Sequence, residues 1–313
     1  MTVSILIISN HDDFSTDLVC CSLKKNNINY LRVNRNDFPN YKVNWDIARM
    51  ELKIIIDDQE FVINSNLSAV YYRAPTFLRE SFYKECSYEE QLQLSQWMAF
   101  IRNLTAFDNA FWMNNPKDIY LAENKIYQLK LAKSMGLTIP STFVQNNTFD
   151  LVDDFKYAVK SIDTAIFGDT NNSYFTYTQI LTGSEISQYK LNLAPVCLQE
   201  YLEDKLDIRV TYIDGHFFAS IIKSNCPIEG DWRKNKTGLI YEACELPVII
   251  KDGLNRLMKK LALSFGGIDL IFSNNQYYFI EVNPTGEWGW LMEPCSYDFP
   301  NIIADSLIKR IKK

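Results

Sequence analysis

The chain has 313 residues, 47% of them hydrophobic and 22% charged, and a net charge of −6. That length exceeds one small core and predicts two or three subdomains of an ordinary globular protein. The acidic balance, with no basic run, gives no electrostatic case for nucleic acid as a partner; a bound anionic nucleotide would need local cations. Met1 to Ser9 is apolar but too short for a signal peptide, lacks a basic lead and runs into His11-Asp12-Asp13. It reads as a buried first strand, Val3 to Ile8, followed by an amphipathic helix, Phe14 to Lys25, and a second strand, Ile28 to Val33. Leu52 to Ile56 and Glu60 to Ile63 read as a hairpin, and Ala69 to Tyr72 as a buried strand ending at Arg73. Leu92, Leu94, Trp97, Met98 and Ile101 recur at helical spacing within Tyr88 to Asn103, which predicts a helix covering the sheet. This alternation is that of a small doubly wound sheet. Arg73 stands at the strand end where open sheets place ligands, and is a candidate contact for an acidic substrate. Asn114-Asn115-Pro116 breaks the pattern and closes a first domain, 1–115. No apolar run reaches the roughly 18 to 20 residues of a membrane span, and a cytosolic location is expected.

The next segment opens with a helix, Ile119 to Met135, capped by Gly136 and stopped before Pro140; it carries Lys125. Tyr157 to Lys160 is a short strand whose terminal Lys160 precedes a polar loop, 163–173, an arrangement that presents an ammonium to phosphate or serves only solubility. Pro195 to Leu202 is a strand that runs into an acidic turn, and Gln199-Glu200-Tyr201-Leu202 reads as a hinge whose backbone would meet a purine edge. A central subdomain of 116–198 and a C-terminal one of 199–313 follow. In Leu206 to Ile213, Asp207, Arg209 and Thr211 alternate with Ile208 and Val210, and Asp214-Gly215 turns the chain into Phe217 to Ile222. Gly266 to Ile271 and Tyr277 to Pro284 read as neighbouring strands joined by Ser273-Asn274-Asn275-Gln276, so that Asp269 faces Glu281. Period-two geometry puts Glu281 and Asn283 on one face while Ile280 and Val282 point into the core. Three oxygen ligands on one surface suit Mg²⁺ carrying a nucleoside triphosphate. A hairpin with a solvated acidic face has the same pattern.

Other chemistries lack material. There is no G-x-x-x-x-G-K-[ST] or G-x-G-x-x-G segment. The two histidines, His11 and His216, are too few for zinc or Ser-His catalysis; His216 reads as an exposed turn residue. None of the seven cysteines falls in a metal-ligand spacing, and they are expected to be reduced and buried. Trp288 and Trp290 either line a substrate cleft or pack in the core.

Taken in order, Asn124-Lys125 with Ala132, Gly136 and Pro140, Val159-Lys160, Gln199 to Leu202, Asp207-Ile208-Arg209, Asp269, and Glu281-Val282-Asn283-Pro284 resemble the ATP-grasp ligases over most of the chain. Val70-Tyr71-Tyr72-Arg73, Asp231-Trp232-Arg233 and the run from Glu281 through Trp288 to Leu291 point within that superfamily to the microviridin or graspetide macrocyclases. The resemblance implies an α/β fold: a doubly wound N-terminal pre-ATP-grasp domain, a central subdomain and a C-terminal antiparallel-sheet subdomain. It implies ATP and Mg²⁺, with Lys125 and Lys160 on the phosphates, Gln199, Glu200, Tyr201, Leu202 and Asp207 around the nucleotide, and Asp269, Glu281 and Asn283 on the metal. Arg209 and Arg233 would stabilise an acyl phosphate, a guanidinium fork suiting phosphate oxygens; ion pairs with Asp207 or Asp231 are the alternative. The implied reaction activates Asp or Glu side chains of a ribosomal precursor peptide, recognised through a leader segment, and closes ester or amide rings with Thr, Ser or Lys. No general base is named for the hydroxyl, and a homodimer is expected. A leader would dock on an exposed strand edge of the central subdomain. The family's glycine-rich flexible loop is replaced by Ile166 to Ser173, with one glycine. A ligase joining an amino acid to a small molecule or protein tail, and a non-catalytic nucleotide-binding protein, are the competing readings.

Overall fold

The structure, a computed structural model, describes residues 1–73, 87–163, 166–168, 173–224, 230–234 and 237–311. Near the N-terminus β1 (Ile5–Ser9) pairs in parallel with β2 (Tyr30–Asn34) on one side and with β6 (Ala69–Tyr72) on the other; β6 in turn pairs in parallel with β7 (Phe111–Met113). A meander of β3 (Lys42–Asp46), β4 (Glu51–Ile56) and β5 (Gln59–Ile63) stands beside this sheet. Alternation along the buried strands separates two cores. Leu6, Ile8, Val70 and Tyr72 pack with Ile101 of α2 (Tyr88–Asn103) and with Leu52 and Ile54 of the meander. Ile5, Ile7, Ala69 and Tyr71 pack instead with Val19 and Leu23 of α1 (Phe14–Lys25) and with Phe299, Ile303 and Leu307 of a helix at the far end of the chain. The doubly wound arrangement expected for the first third is present.

One expectation fails at the next element. The predicted helix from Ile119 to Met135 is two helices, α3 (Pro116–Ala122) and α4 (Lys125–Ser134). Asn124 accepts a hydrogen bond from Tyr127 N, an N-cap that competes with helix continuation. The break starts a new helix at Lys125 and places it at the helix N-terminus. Gly136 ends α4 at φ +84°, where L side chains are strained, and Leu137 N closes back on Ala132 O at 3.0 Å.

The central sheet runs β12 (Gln179–Thr182), β9 (Lys156–Lys160), β13 (Val196–Glu200) and β8 (Thr142–Gln145), all antiparallel, over a small core of Tyr157, Ile186 and Leu198. A separate hairpin joins β10 (Ile166–Gly168) to β11 (Ser173–Phe175); Asp169 to Asn172, in the segment that replaces the family's glycine-rich loop, lie outside the described residues. The C-terminal sheet has the order β16 (Leu239–Cys244), β15 (His216–Ser224), β14 (Leu206–Ile213), β17 (Phe265–Ser273) and β18 (Gln276–Asn283). Ile208, Val210, Ile268, Leu270 and Val282 bury one face against α4 and α5 (Val248–Lys260), leaving Asp207, Arg209 and Asp269 on the other. β17 and β18 meet through a two-residue turn, Asn274-Asn275, both at positive φ, a type favoured for tight hairpins. The last helix, α6 (Phe299–Ile308), returns to pack on α1.

A second expectation fails in β18. The register slips between Asp269, which faces Glu281, and Leu270, which faces Phe279. Ile280 is the extra residue of a β-bulge. Phe279 takes the core position at 1% exposure, and Ile280 turns to the cleft instead of the core. Among the described cysteines Cys20, Cys197 and Cys295 are buried, Cys244 is half-buried, and Cys21 is exposed, against the expectation that all are buried. His216 is exposed at its turn, and His11 pairs with Asp37 at 2.7 Å. No helix among the described residues is long and apolar enough to cross a membrane.

Candidate active site

A cleft opens between the central sheet and the bare face of the C-terminal sheet. Its walls contain Lys125, Lys160, Gln199, Glu200, Tyr201, Leu202, Asp207, Arg233, Asp269, Glu281 and Asn283, residues spread over more than 150 positions of sequence. Lys125 arrives on the first turn of α4, Lys160 at the end of β9, and the carboxylates on paired strands. The pairing of Asp269 with Glu281 puts two carboxylates side by side across the ladder, like charges that must be neutralised. Each has a cation: Arg209 Nη1 lies 2.8 Å from Asp269 Oδ1, Lys125 Nζ lies 3.2 Å from Glu281 Oε2, and Arg233 Nη1 lies 3.8 Å from Glu281 Oε1. Burial alone would push the Glu281 carboxyl up; Lys125, Lys160 and Arg233 outweigh it and hold Glu281 below the ordinary range. Burial lowers the Lys160 ammonium, and the nearby charges of Lys125 and Arg233 add to that, against the attraction of Glu281. Lys160 Nζ donates to Gln199 Oε1 at 2.7 Å, and Gln199 Nε2 donates on to Thr142 Oγ1 at 3.0 Å, so Gln199 on β13 aims the lysine.

Arg209 does not make the ion pair that the alternative reading predicts, whereas Arg233 does. Arg209 bonds Asp269, not Asp207 or Asp231. Asp207 is held by Lys205, whose Nζ donates to both carboxylate oxygens at 2.8 and 2.7 Å and lies 3.3 Å from Gly230 O. Burial pushes the Asp207 carboxyl up, aided by Asp269 and Asp231, while Lys205 opposes. Arg233 does form the expected pair with Asp231, Nε to Oδ1 at 2.8 Å and Nη2 to Oδ2 at 2.9 Å, a bidentate fork beside the cleft. Asp231, at 7% exposure, is thereby held below its ordinary range despite burial.

Arg209 stands beneath the cleft at 7% exposure, sandwiched by two glycines. A Cβ on Gly267 would come within 2.5 Å of Arg209 Cζ, and one on Gly286 within 2.6 Å of its Nη2. Both glycines and Lys205 escape the sequence reading. Lys205 had a signal, being two residues from Asp207 on an alternating strand; the glycines had only their proximity to Asp269 and Asn283.

Arg73 and Trp288, read as substrate contacts, lie elsewhere. Trp288 is 0% exposed and edge-on to Phe299 at 5.7 Å, so it packs in the core, while half-buried Trp290 meets Trp232 of the cleft wall at a tilt of 42°. The Arg73 side chain is 5% exposed. Its Nη1 donates to Thr285 O at 3.0 Å, its Nη2 to Glu287 Oε2 at 2.9 Å, and its Nε lies 3.5 Å from Asp13 Oδ2. It ties the parallel sheet to the segment that follows the acidic strand.

Among the described residues no three His, Cys, Asp or Glu side chains form a closed metal cage. Asp269, Glu281 and Asn283 line the cleft instead, Asn283 Oδ1 accepting from Thr285 N at 3.0 Å and Thr285 Oγ1 at 3.2 Å; oxygen donors of this kind fit Mg²⁺, since that ion keeps waters and phosphate oxygens in its shell. The surrounding cations fit the phosphates.

No family model matches the chain. It is 25% identical over 213 residues to the tetrahydromethanopterin:alpha-L-glutamate ligase of Methanocaldococcus jannaschii, covering 64% of this chain and 71% of that one. It is similar to the macrocyclase MdnC of Microcystis aeruginosa, solved with the precursor peptide MdnA: 25% identity, 97% and 99% of the two chains covered, TM-score 0.82. It shares the fold of a RiPP-associated ATP-grasp ligase of Chryseobacterium gregarium, solved with ADP and a leader and core peptide: 23% identity, 99% and 98% covered, TM-score 0.86. The cleft between two antiparallel sheets, its paired carboxylates and lysines, and a likeness over 97% of the chain to the macrocyclase MdnC make this chain an ATP-grasp ligase similar to the peptide macrocyclases.

Proposed function

We propose that the enzyme activates Asp or Glu side chains of a ribosomal precursor peptide with ATP and closes side-chain ester or amide rings on Thr, Ser or Lys. The observation that supports it most is one cleft holding two lysines, an arginine fork and two opposed carboxylates, within a chain that matches a precursor-bound macrocyclase from end to end. A substrate carboxylate oxygen attacks the γ-phosphorus, ADP leaves, and the acceptor hydroxyl or amine then attacks the acyl carbonyl. The carbon–phosphate link breaks, inorganic phosphate departs, and the acceptor's proton is released. Such chemistry asks the protein for alignment and charge neutralisation rather than covalent work.

In that reading Lys125 and Lys160 hold phosphate oxygens, and Asp269, Glu281 and Asn283 would hold Mg²⁺, which supplies charge neutralisation across them. Arg233, fixed by its fork to Asp231, reaches the transferring group, and Arg209 braces Asp269 from beneath. Glu200 and Tyr201 already commit their N–H groups to Ser141 O and Lys156 O, so a purine edge met at these two positions falls to their carbonyl oxygens.

The likeness to a glutamate ligase supports a second reading, in which an amino acid amine is the acceptor. Mass spectrometry of a short Thr-, Glu- and Asp-rich peptide encoded beside this gene, incubated with the protein, ATP and Mg²⁺, separates the two. Macrocyclisation removes one water per ring, and the loss disappears in a Glu281→Ala, Asn283→Ala variant. An unchanged peptide, with ADP formed when glutamate and a small-molecule acceptor are supplied, favours the second reading.

A further inference from the structure

β18 is the edge strand of the C-terminal sheet; beyond an isolated parallel bridge at Tyr278, where Phe279 N donates to Thr138 O at 2.8 Å, its outer backbone groups have no neighbouring strand as partner among the described residues. At the residue between Glu281 and Asn283 that partner is a side chain. Gln128 of α4, 2% exposed, donates from Nε2 to Val282 O at 2.8 Å and accepts from Val282 N at 2.8 Å through Oε1. One carboxamide thus makes both bonds that a neighbouring strand would make. Its remaining N–H donates to Ala122 O, at the end of α3, so both N–H groups and the carbonyl oxygen of the amide have partners and its orientation is set by them. The same helix carries Lys125, the counter-charge of Glu281, one turn earlier.

We infer that Gln128 is a positioning residue for the metal ligands: by gripping Val282 it fixes the direction in which Glu281 and Asn283 leave the strand just beyond the Ile280 bulge. Without the grip, an edge strand already released from register by one residue would turn about its axis, and both flanking side chains would lose their common face. The inference rests on the reading of Asp269, Glu281 and Asn283 as the Mg²⁺ set.

The test measures the Mg²⁺ concentration needed for half-maximal ADP binding by calorimetry on the full chain, which requires no turnover. Gln128→Met preserves volume and removes both bonds to Val282 together with the one to Ala122. It is expected to raise the Mg²⁺ requirement about 10- to 100-fold, the range seen when a group that orients a metal ligand is lost. Gln128→Glu keeps the acceptor and loses the donors, so it should shift the requirement in the same direction and provides the reading if the Met variant does not fold. Met258→Ala, a fully buried truncation behind the same sheet, is the control for general loosening. Glu281→Ala is the reference for the metal site. A shift in Glu281→Ala with none in the Gln128 variants, or an equal shift in Met258→Ala, overturns the inference. A requirement unmoved by Glu281→Ala overturns the metal reading itself, and the positioning role with it.

Discussion

Arg209 can lie beneath Asp269 only because two positions have no side chain. Gly266 and Gly267 are neighbours on β17, yet a methyl group would meet different things at each. At Gly266 it would touch Met258 Cε and Val282 Cγ2 at 3.0 Å, ends of side chains that can yield. At Gly267 it would enter the Arg209 guanidinium, which is itself walled by Gly286. Gly267→Ala therefore forces Arg209 off Asp269. The expected result is a fall in turnover of about 10²- to 10³-fold, as for loss of one positioned charge donor, with overpacking of about 1 to 3 kcal/mol. Gly266→Ala should cost stability of similar size while turnover stays within a few-fold. Steady-state kinetics beside denaturant unfolding of the two variants checks this; equal kinetic losses would contradict the role of Arg209. Apart from Lys205, the residues that carry charge into the cleft were legible in the sequence because lysines, carboxylates and their order along the chain are visible there. Gly267, Gly286 and Gln128 were not, because each acts through a contact that only the fold creates: Gln128 and Val282 are 154 residues apart.

At the scale of elements, the strands and helices read from periodicity formed with two local exceptions, while β3, β7, β8, β10, β11, β12, β16, α5 and α6 were not read from the sequence at all. Asn124 stops one helix and caps the next, and the bulge at Ile280 shifts a strand by one residue; a hydrophobic pattern averages over both. The start of α1 shows how such polar ends connect to the site. Asp13 caps the helix, accepting from Thr16 N at 3.1 Å, from Thr16 Oγ1 at 2.7 Å and from Ser9 Oγ at 2.8 Å, with Arg73 Nε 3.5 Å away. Burial would raise the Asp13 carboxyl, but Arg73 and these hydrogen bonds hold it below its ordinary 3.8. A depressed carboxyl contributes stability that is present above pH 3.8 and lost as pH falls through the lower value it has in the folded state. Asp13→Asn keeps a cap and loses the charge, so it should destabilise the protein by about 1 to 3 kcal/mol at pH 7. The gap between variant and parent should close below pH 4, in a window set by the depressed value. Urea unfolding from pH 7 to pH 3 measures that gap; one constant across the range would remove Arg73 as its source.

The two ends of the molecule share one core. Ile5, Ile7, Ala69 and Tyr71 of the parallel sheet meet Ile213 and Phe265 of the C-terminal sheet and the apolar face of α6 in a single cluster. Polar ties reinforce it: Arg73 to Thr285 and Glu287, and Asn114, 1% exposed, to Ser264, Phe265 and Pro284 with four hydrogen bonds of 2.8 to 3.0 Å. The central sheet, by contrast, has only Tyr157, Ile186 and Leu198 as its buried apolar cluster. Apolar burial sets how much free energy opposes local opening, so these parts should open by different routes. Phe299 is 0% exposed and contacts Phe218, Tyr297 and Trp288 rings, which places it in the shared core. Phe299→Ala should cost about 3 to 5 kcal/mol and accelerate amide exchange in β1 and β6 together with β14 and β17, although α6 follows them by far in sequence. Exchange in β9 and β13 should already be faster in the parent, change little in the variant, and slow when ADP and Mg²⁺ are added, because that sheet forms one wall of the cleft. Exchange in β1 and β6 that ignores Phe299→Ala would mean that the parallel sheet folds on its own and only docks, and the ties through Arg73 and Asn114 would then be contacts between independent units.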